Sequence, residues 1–266
     1  MELSIYDVSN ALSAIAGDAA LDLGIGVAIW ALALLLPFRV LSARPEIGWD
    51  VAGYIGAGLA TVAMARVVED PLIENMFSLF PGWYAQFDGV PWWAALTVFI
   101  VVSDFGVYWA HRLLHTRALW ASHAWHHSPK FLYFLSGTRG APVHILVLTL
   151  PFTITYLVFP FPSVFYIALG HAVLQLANQH YLHSNLRFPC QHILETVLVT
   201  PRFHFVHHSH RPVYSNSNYG FIFSVWDRWF GTYTDPDIVP ANEPLGLDYE
   251  ISNVRALIGM PAATKG

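Results

Sequence analysis

The stretch WWAALTVFIVVSDFGVYWAHRLLH, residues 92–115, joins an apolar run to a pair of histidines. The run Trp92–Ala110 begins with two tryptophans and contains one acid, Asp104. About 20 apolar residues are enough to cross the hydrocarbon core of a bilayer, and tryptophan is enriched at the two interfaces. The stretch therefore predicts a membrane-spanning helix that carries histidines at one membrane surface.

The composition of the chain also indicates that lipid, rather than water, surrounds much of it. Of the 266 residues, 55% are hydrophobic and only 12% are charged, whereas a soluble domain carries about 25% charged residues. The single cysteine, Cys190, excludes an internal disulfide and a four-cysteine zinc or iron–sulfur site. The formal charge of −5 gives no nucleic-acid footprint, so no nucleic-acid partner is expected.

Four further apolar segments extend the membrane prediction. They are Leu21–Leu41, Val51–Ala65, Val143–Phe159 and Ser163–Asn178. Only three residues separate the last two, which are either two full spans or a hairpin that enters from one side. The predicted fold is an all-α integral membrane protein of about four to five membrane-spanning or re-entrant helices, with a cytoplasmic, helical, histidine-rich cap.

The basic residues predict the orientation of these segments. If the N-terminus lies outside and the segments alternate, twelve of the thirteen Lys and Arg residues fall on the cytoplasmic side or at its edge, as the positive-inside rule requires. Arg66 then faces out beside the loop Glu69–Asp88, while residues 111–130 and 183–266 are cytoplasmic. Met1–Ala20 lacks the basic start of a signal peptide. The expected location is a bacterial inner membrane.

The histidines fall into one HxxxH motif, two HxxHH motifs and a looser fourth pair. Residues at i, i+3 and i+4 share a helix face, so HxxHH is expected to present three imidazoles to one site. These ten histidines are His111, His115, His123, His126, His127, His180, His183, His204, His207 and His208. Neutral imidazole binds iron, copper and zinc, and one ion takes four to six ligands. Eight to ten histidines at one membrane level therefore predict two metal ions.

The remaining histidines have plainer interpretations. A histidine that is out of phase with a motif is more often a surface or packing residue than a ligand. His192 and His210 are expected on the surface. His144 and His171 lie in or beside apolar segments, where we expect each to be a packing histidine with its polar atoms satisfied.

Asp104 lies seven residues, or two helical turns, before His111 and on the same predicted face. An acid within a span is a functional hypothesis by default. We expect Asp104 to accept the free N–H of a metal-binding imidazole and so fix its tautomer. The alternative is that Asp104 is the counter-ion of Arg112 or Arg139.

In the order and spacing of its motifs, the chain resembles the fatty acid hydroxylase/sterol desaturase superfamily from the third span to residue 232. The matching segments are DFGVYWAHRLLH from Asp104, HAWHHS from His123, Arg139 with Pro142, HSN from His183, Thr200-Pro201, HFVHHS from His204, NYG from Asn218 and WDRWFGT from Trp226. The pattern departs from the superfamily at Phe205, where Arg is usual, and at Ala141 and His144, where His and Glu are frequent. These departures leave the substrate subgroup open.

The resemblance implies an O2-dependent di-iron enzyme of the monooxygenase class that hydroxylates or desaturates a C–H bond of a lipid. It implies metal-binding roles for the histidines of the four motifs, with His180 included only because it lies next to His183. Asn185, Asn218 and Asp227 are expected to support the site or to fix its loops. On this basis the chain is one membrane domain with N-terminal spans (1–90), a catalytic region (91–235) and a C-terminal tail (236–266).

The electrons are expected to come from a separate reductase that docks at the histidine-rich face. The chain has no complete GxGxxG motif and no ferredoxin cysteine set. The remaining partners are the bilayer and the lipid substrate.

Three other functions stay open on the sequence alone. A metal transporter would place ligands along a path through the bilayer, whereas these histidines cluster at one end of the spans. A zinc-dependent lipid-modifying enzyme would consume no O2. A b-type haem carrier would need only two axial histidines per haem.

Overall fold

The computed structural model describes residues 5–87, 89–159 and 176–262. Regular structure in these ranges is helical, and the only β pairing in them consists of three isolated bridges, Pro37–Leu186, Leu198–Phe223 and Ser209–Leu245. The prediction of an all-helical protein agrees with these ranges. Of the predicted fifth segment, Ser163–Asn178, all but the last three residues lie outside them, as does His171.

Twelve α-helices occur in the described ranges. Five of these helices have at least ten residues each, and the other seven are short, with at most seven residues each. They are α1 (Ile5–Leu35), α2 (Ile47–Met64), α3 (Asp70–Leu79), α4 (Pro81–Tyr84), α5 (Trp92–Leu114), α6 (Trp120–His123), α7 (Pro142–Val158), α8 (Gln191–Leu194), α9 (Pro201–His207), α10 (Pro212–Ser215), α11 (Val225–Trp229) and α12 (Asn253–Leu257). Two π-helical turns, Ala65–Glu69 and Leu176–Leu182, and three 3₁₀ turns, Ala85–Phe87, Ser136–Thr138 and Pro236–Ile238, complete the elements.

Two helices of the described ranges are long and apolar enough to cross a membrane. They are the continuous helix Ile47–Leu79, of 33 residues, and α5, of 23 residues. Only 11% and 33% of their most apolar windows are buried, whereas the core helix of a soluble protein would be mostly buried. Large apolar side chains such as Leu59 and Val67 are 68% and 74% exposed. Apolar surface of this kind suits a lipid environment.

The second predicted span is longer than the sequence indicated. The sequence ends it at Ala65 and places an outer loop at Glu69–Asp88, but the helix continues to Leu79 and short helices follow to Phe87. Pro71, which has no backbone N–H to donate, lies two residues after the π-helical turn Ala65–Glu69 of this continuous helix. Arg66 and Asp70, one helical turn apart, form an ion pair of 2.9 Å across the junction. The loop prediction is therefore wrong for most of this segment.

Helices α5 and α7 pack closely against each other and begin near their predicted positions. The sequence predicts spans that start at Trp92 and Val143, and the helices start at Trp92 and Pro142. At Gly106 a Cβ atom would lie 2.8 Å from the Cβ of Pro151, so only glycine allows this approach. Because α5 runs four residues beyond the predicted end at Ala110, it carries His111 in its last turn.

The ends of four long helices meet at the histidine-rich cap. After α1, the carbonyl of Leu36 accepts a hydrogen bond of 2.7 Å from the amide of Arg187. At the start of α2, Asp50 accepts one of 2.7 Å from Arg139. The end of α5 and the start of α7 lie at the same level, because His111 and His144 both contact His123. The helices thus alternate in direction, and the cap covers one end of the bundle.

Candidate metal centre

Nine of the ten predicted histidines form two adjacent groups. Within each group the potential ligand nitrogens all lie within 4.8 Å of one another. The five-histidine group consists of His111, His115, His123, His127 and His207. The four-histidine group consists of His126, His183, His204 and His208. Two compact groups, rather than one large one, are what two separate ions require.

Each HxxHH motif contributes to both groups. His123 and His127 enter the five-histidine group while His126 enters the four-histidine group. In the second motif the arrangement is reversed, because His204 and His208 join the four-histidine group. The prediction that all three imidazoles of a motif surround one site is therefore wrong. The i and i+4 residues share a site, and the i+3 residue reaches across to the other.

Short elements position these motifs. Helix α6 ends at His123, and turns follow, so the first HxxHH motif lies mostly beyond the helix. Helix α9 holds most of the second motif, and its first residue is Pro201. Thr200 caps this helix by accepting a hydrogen bond from the amide of Phe203 at 3.3 Å. Threonine followed by proline is a favoured way to begin a helix.

The Nε2 atoms of the five-histidine group lie at distances typical of ligands on one ion. His123 Nε2 is 3.2 Å from that of His111 and 3.1 Å from that of His127. His115 Nε2 is also 3.1 Å from His127 Nε2. Two nitrogens bound to one ion at about 2.1 Å are about 3.0 Å apart at a right angle and about 3.4 Å apart in a tetrahedron.

The four-histidine group has the same spacing. His183 Nε2 lies 3.3 Å from His126 Nε2 and 3.2 Å from His204 Nε2. His204 and His208 bring their Nε2 atoms to 3.1 Å. The ring of His183 fits because residue 137 is glycine, since a Cβ atom there would lie 2.3 Å from His183 Nδ1. No motif in the sequence indicated this role for Gly137.

Backbone carbonyls fix the tautomers of several of these rings. His111 Nδ1 lies 2.9 Å from the carbonyl oxygen of Tyr219, and His207 Nδ1 lies 2.8 Å from that of Ser217. A carbonyl oxygen only accepts, so each contact requires the proton on Nδ1 and leaves a lone pair on Nε2. Lone pairs that face each other at about 3 Å repel unless a cation lies between them.

Burial keeps the imidazoles neutral. Eight of the nine rings are buried, and burial lowers the pKa of His127, His207 and His208 well below the ordinary imidazole value. The neutral ring is the form that binds a metal ion. His207 Nε2 is buried and has no hydrogen-bond partner in the described structure, although a buried polar atom normally has one. The donor set thus fits metal ions that prefer nitrogen, such as iron, copper or zinc.

His180 lies outside both groups. Its Nε2 atom is 2.8 Å from Asp22 Oδ1, and its Nδ1 atom is 3.4 Å from the carbonyl oxygen of Phe134. Asp22 also accepts a hydrogen bond of 3.1 Å from the hydroxyl of Tyr54. The inclusion of His180 among the ligands, which rested on its closeness to His183, therefore disagrees with its position. Its contacts tie α1 and α2 to the cap.

Asp104 supports the site through a loop instead of through an imidazole. Its carboxylate accepts hydrogen bonds from the amides of Ile222 and Phe223 at 2.8 and 3.0 Å and from the indole of Trp226 at 2.7 Å. The expected contact with a histidine is thus replaced by three contacts with residues more than a hundred positions later. Neither Arg112 nor Arg139 donates to it in the described structure.

Asp227 is linked to a ligand candidate, His111, through the backbone of one residue, Tyr219. It accepts hydrogen bonds from the amides of Tyr219 and Gly220 at 2.8 and 2.7 Å. The carbonyl of Tyr219 is the acceptor for His111, so Asp227 holds the backbone that orients a ligand. Burial raises the pKa of Asp227 to about 6. Asp227 and Tyr219 therefore help to orient His111, a member of the five-histidine group.

The two asparagines fix loops. Asn218 has the positive φ of 56°, which asparagine tolerates better than most residues, and its side chain exchanges hydrogen bonds with the backbone of Thr234. Asn185 donates to the carbonyl of Arg39 at 2.7 Å and so ties the segment after α1 to the cap. Of the other histidines, His192 is exposed and His210 is partly exposed.

A cavity of about 370 Å³ reaches the five-histidine group. Its lining includes the rings of His115 and His127, with Trp120, Asn216 and Tyr249 around them. His115 is the one ligand candidate of the nine that is not fully buried. All members of the four-histidine group are buried. The two groups thus differ in their access to the surroundings.

Comparison with known proteins gives one family. The family model for fatty acid hydroxylases matches residues 96–232, just over half of the chain. An alkylglycerol monooxygenase of Danio rerio is 34% identical over 62% of this chain and 36% of its own length. An ornithine lipid hydroxylase of Rhizobium tropici is 28% identical over 82% of this chain and 63% of its own.

A sterol desaturase, the Delta(7)-sterol 5(6)-desaturase of Eremothecium gossypii, is 29% identical over 52% of this chain and 37% of its own length. The chain thus spans about a third of the length of the alkylglycerol monooxygenase and of the desaturase. No solved structure matches it significantly. The family match covers every residue of both histidine groups, and the chain belongs to the fatty acid hydroxylase family, within the fatty acid hydroxylase/sterol desaturase superfamily.

Proposed function

We propose that this protein is a membrane-bound oxygenase that hydroxylates or desaturates a C–H bond of a lipid, with two iron ions, O2 and electrons supplied from outside the chain. The observation that carries the proposal is the convergence of nine histidines into two adjacent groups. The matched relatives add the substrate class, because their names describe a hydroxylase and a monooxygenase of lipids and a sterol desaturase.

In this proposal the protein holds and orients the metal ions. The five-histidine and four-histidine groups each present Nε2 lone pairs to one ion, and the carbonyls of Ser217 and Tyr219 keep two rings in the required tautomer. Iron, when bound, supplies the O2-dependent oxidation of an unactivated C–H bond. Each turnover consumes one O2, two electrons and two protons, and releases water with the oxidised lipid. The buried rings keep the reacting region away from bulk water.

The lipid is proposed to approach through the bilayer. Helices α2 and α5 expose apolar side chains over most of their length, and the cap lies at one end of the bundle. A lipid in the membrane can therefore lie against these helices and extend a chain toward the histidines. The distribution of Lys and Arg supports a cytoplasmic cap, with the N-terminus outside. The matched relatives come from a bacterium and from eukaryotes, so they do not select a bacterial membrane.

The electrons are proposed to come from a separate donor protein at the cap. The cavity beside His115 opens on the cap, beyond the end of α5, rather than along the spans. A water-soluble donor that reaches this surface lies close to the five-histidine group without crossing the bilayer.

Metal analysis and oxygen uptake test the proposal on protein purified in detergent without chelator. We expect about two ions per chain after anaerobic iron loading, and O2 uptake that depends on an added lipid and a reductant. One tightly bound ion, or none, would contradict the two-ion site. Zinc in the preparation does not decide the question, because metal availability during expression often sets occupancy.

Lipid mass spectrometry of a host with and without the gene identifies the product. We expect a lipid that has gained 16 mass units or lost two, and its absence when His126→Ala or His207→Ala replaces the wild type. An unchanged lipid profile in a host with an active electron donor would contradict the proposal. A Soret band would instead favour a haem carrier, and lipid cleavage without O2 uptake would favour a zinc enzyme.

A further inference from the structure

His144 lies against a ligand ring, although the sequence suggested a packing role. It belongs to the first turn of α7 and is only 4% exposed. Its Nδ1 atom is 2.7 Å from Nδ1 of His123, and the two ring planes are 17° apart, with centroids separated by 4.8 Å. The His144 ring is also 5.2 Å from that of His126. His144 therefore contacts a member of each group.

In the hydrogen bond between His144 and His123, only one choice of donor and acceptor is compatible with metal binding by His123. His123 Nε2 lies 3.2 Å from His111 Nε2 and 3.1 Å from His127 Nε2, so it faces the centre of the five-histidine group. If His123 binds an ion through this atom, its proton is on Nδ1. His123 then donates to Nδ1 of His144, which carries its own proton on Nε2.

His123 differs in this respect from the ligand candidates with known Nδ1 partners. His111, His126 and His207 place Nδ1 near a backbone carbonyl, and His115 places it 3.2 Å from the side-chain oxygen of Asn216. The orientation of His123 depends instead on a nitrogen acceptor from another side chain. A carbonyl cannot change its hydrogen-bonding role, whereas an imidazole in the other tautomer would donate and force the His123 proton to Nε2.

The segment before α7 is shaped to hold the ring of His144. A Cβ atom at Gly140 would lie 2.6 Å from Cδ2 of His144, so glycine is needed for this placement. Ala141, the residue before α7, is fully buried, which leaves the start of the helix little room to shift.

We propose that His144 is a positioning residue that fixes the tautomer and the ring orientation of His123, and thereby sets the affinity of the five-histidine group for its ion. The inference rests on the proposed metal-dependent function. The four-histidine group should be affected little, because the His126 ring has its own acceptor, the carbonyl of Arg139 at 3.2 Å.

Three replacements at one position test the inference through ion affinity, measured by competition with a chelator of known strength. His144→Leu removes the acceptor and should weaken one of the two ions by about 10- to 100-fold, the usual cost of losing a group that orients a ligand. His144→Gln keeps a neutral oxygen acceptor and should recover most of this loss. His144→Glu adds a negative charge to the acceptor and should bind the ion at least as tightly as His144→Gln.

Two further variants assign the affected ion. In His208→Ala, which disables the four-histidine group, adding His144→Leu should weaken the remaining ion. In His115→Ala/His127→Ala, which leaves three histidines in the five-histidine group, the same addition should leave the remaining ion unchanged. Gly140→Ala displaces the ring of His144 without removing it and should cause the same loss of ion affinity. This variant replaces His144→Leu in the test if His144→Leu does not fold.

Wild-type affinity for both ions in the folded variants that lack the acceptor would overturn the inference, and so would a loss confined to the four-histidine group. If the wild-type protein itself bound no ion, the proposed function would fail instead. Thermal unfolding of the metal-free variants separates a loss of affinity from a loss of fold.

Discussion

The two histidine groups are built from the same motifs but are held in place differently. In the five-histidine group, the Nδ1 atoms of His111, His115 and His207 have oxygen partners from residues 216–219. In the four-histidine group, Nδ1 of His204 and of His208 has no partner within the described part of the chain. Hydrogen bonds therefore orient the first group, while close packing encloses much of the second.

The groups also differ in access. The five-histidine group borders a cavity through His115, whereas every ring of the four-histidine group is buried. An oriented and accessible site suits exchange with the surroundings, and an enclosed site suits retention of an ion. Two similar sets of ligands can therefore give two ions with different lability.

The largest expected effect comes from leaving either group with three histidines. His115→Ala/His127→Ala and His208→Ala should each abolish product formation, because the reaction is proposed to need both ions. Each variant should still keep about one ion per chain, held by the intact group. Elemental analysis beside lipid mass spectrometry measures both quantities. Loss of both ions in both variants would mean that the groups are not independent sites.

Removal of metal by a water-soluble chelator tests the difference in access. Ions should leave the wild-type protein in two phases, the faster from the five-histidine group, because its cavity is open to solvent. His208→Ala should show only the fast phase and His115→Ala/His127→Ala only the slow one. Metal content at timed intervals gives the rates. Equal rates of ion loss in the two variants would show that the two groups do not differ in access to solvent.

Replacements of two buried acids, Asp227 and Asp104, separate the orientation of a ligand from the stability of the fold. Asp227→Asn should lower the ion affinity of the five-histidine group by about 10- to 100-fold, because Asp227 holds the backbone of Tyr219 that orients His111. Asp104→Asn should instead lower the free energy of unfolding by about 1–3 kcal/mol for each hydrogen bond lost, because its partners are Ile222, Phe223 and Trp226. Chelator competition and thermal unfolding of both variants provide the comparison. The same affinity loss in both would argue against a specific role for Asp227.

The smallest effects are expected from His180 and His192, two histidines outside both groups. His180→Ala should keep two ions but lower stability by about 1–3 kcal/mol, because it removes the buried partner of Asp22. His192→Ala is the matched control and should change stability by less than about 0.5 kcal/mol, since the residue is exposed. Loss of one ion in His180→Ala would restore it as a ligand.

The apolar segments could be predicted because hydropathy is a local property of the chain. The starts of α5 and α7 agree with the sequence to within one residue. The end of the second span could not be predicted in the same way. Glu69 and Asp70 suggested a loop, but Glu69 accepts a hydrogen bond of 2.5 Å from Thr153 of α7. The carboxylate of Glu69 thus has a hydrogen-bond donor, Thr153, that lies 84 positions later and reaches it only in the folded structure.

The motifs identified the nine grouped histidines, but a helical face was the wrong basis for dividing them. His126 belongs to a different group from His123 and His127, and His207 is separated from His204 and His208 in the same way although His204 and His207 both lie in α9. The role of the Tyr219 carbonyl as the acceptor for His111 could not be predicted either, because every residue has a backbone carbonyl. His144 was missed because its partner, His123, lies 21 positions away and no motif contains both.

The division of each motif between the two groups also fixes the order in which the protein can be completed. Each group combines residues from 111–127 with residues from 183–208. A chain still growing on the ribosome therefore completes neither group until residue 207 has emerged, long after α1, α2 and α5 are available for insertion. The four-histidine group is the later of the two to be completed, because three of its four members lie at residues 183–208. A chain stopped before Pro201 should insert its first helices and yet retain at most one ion, because only His126 and His183 of the four-histidine group would be present.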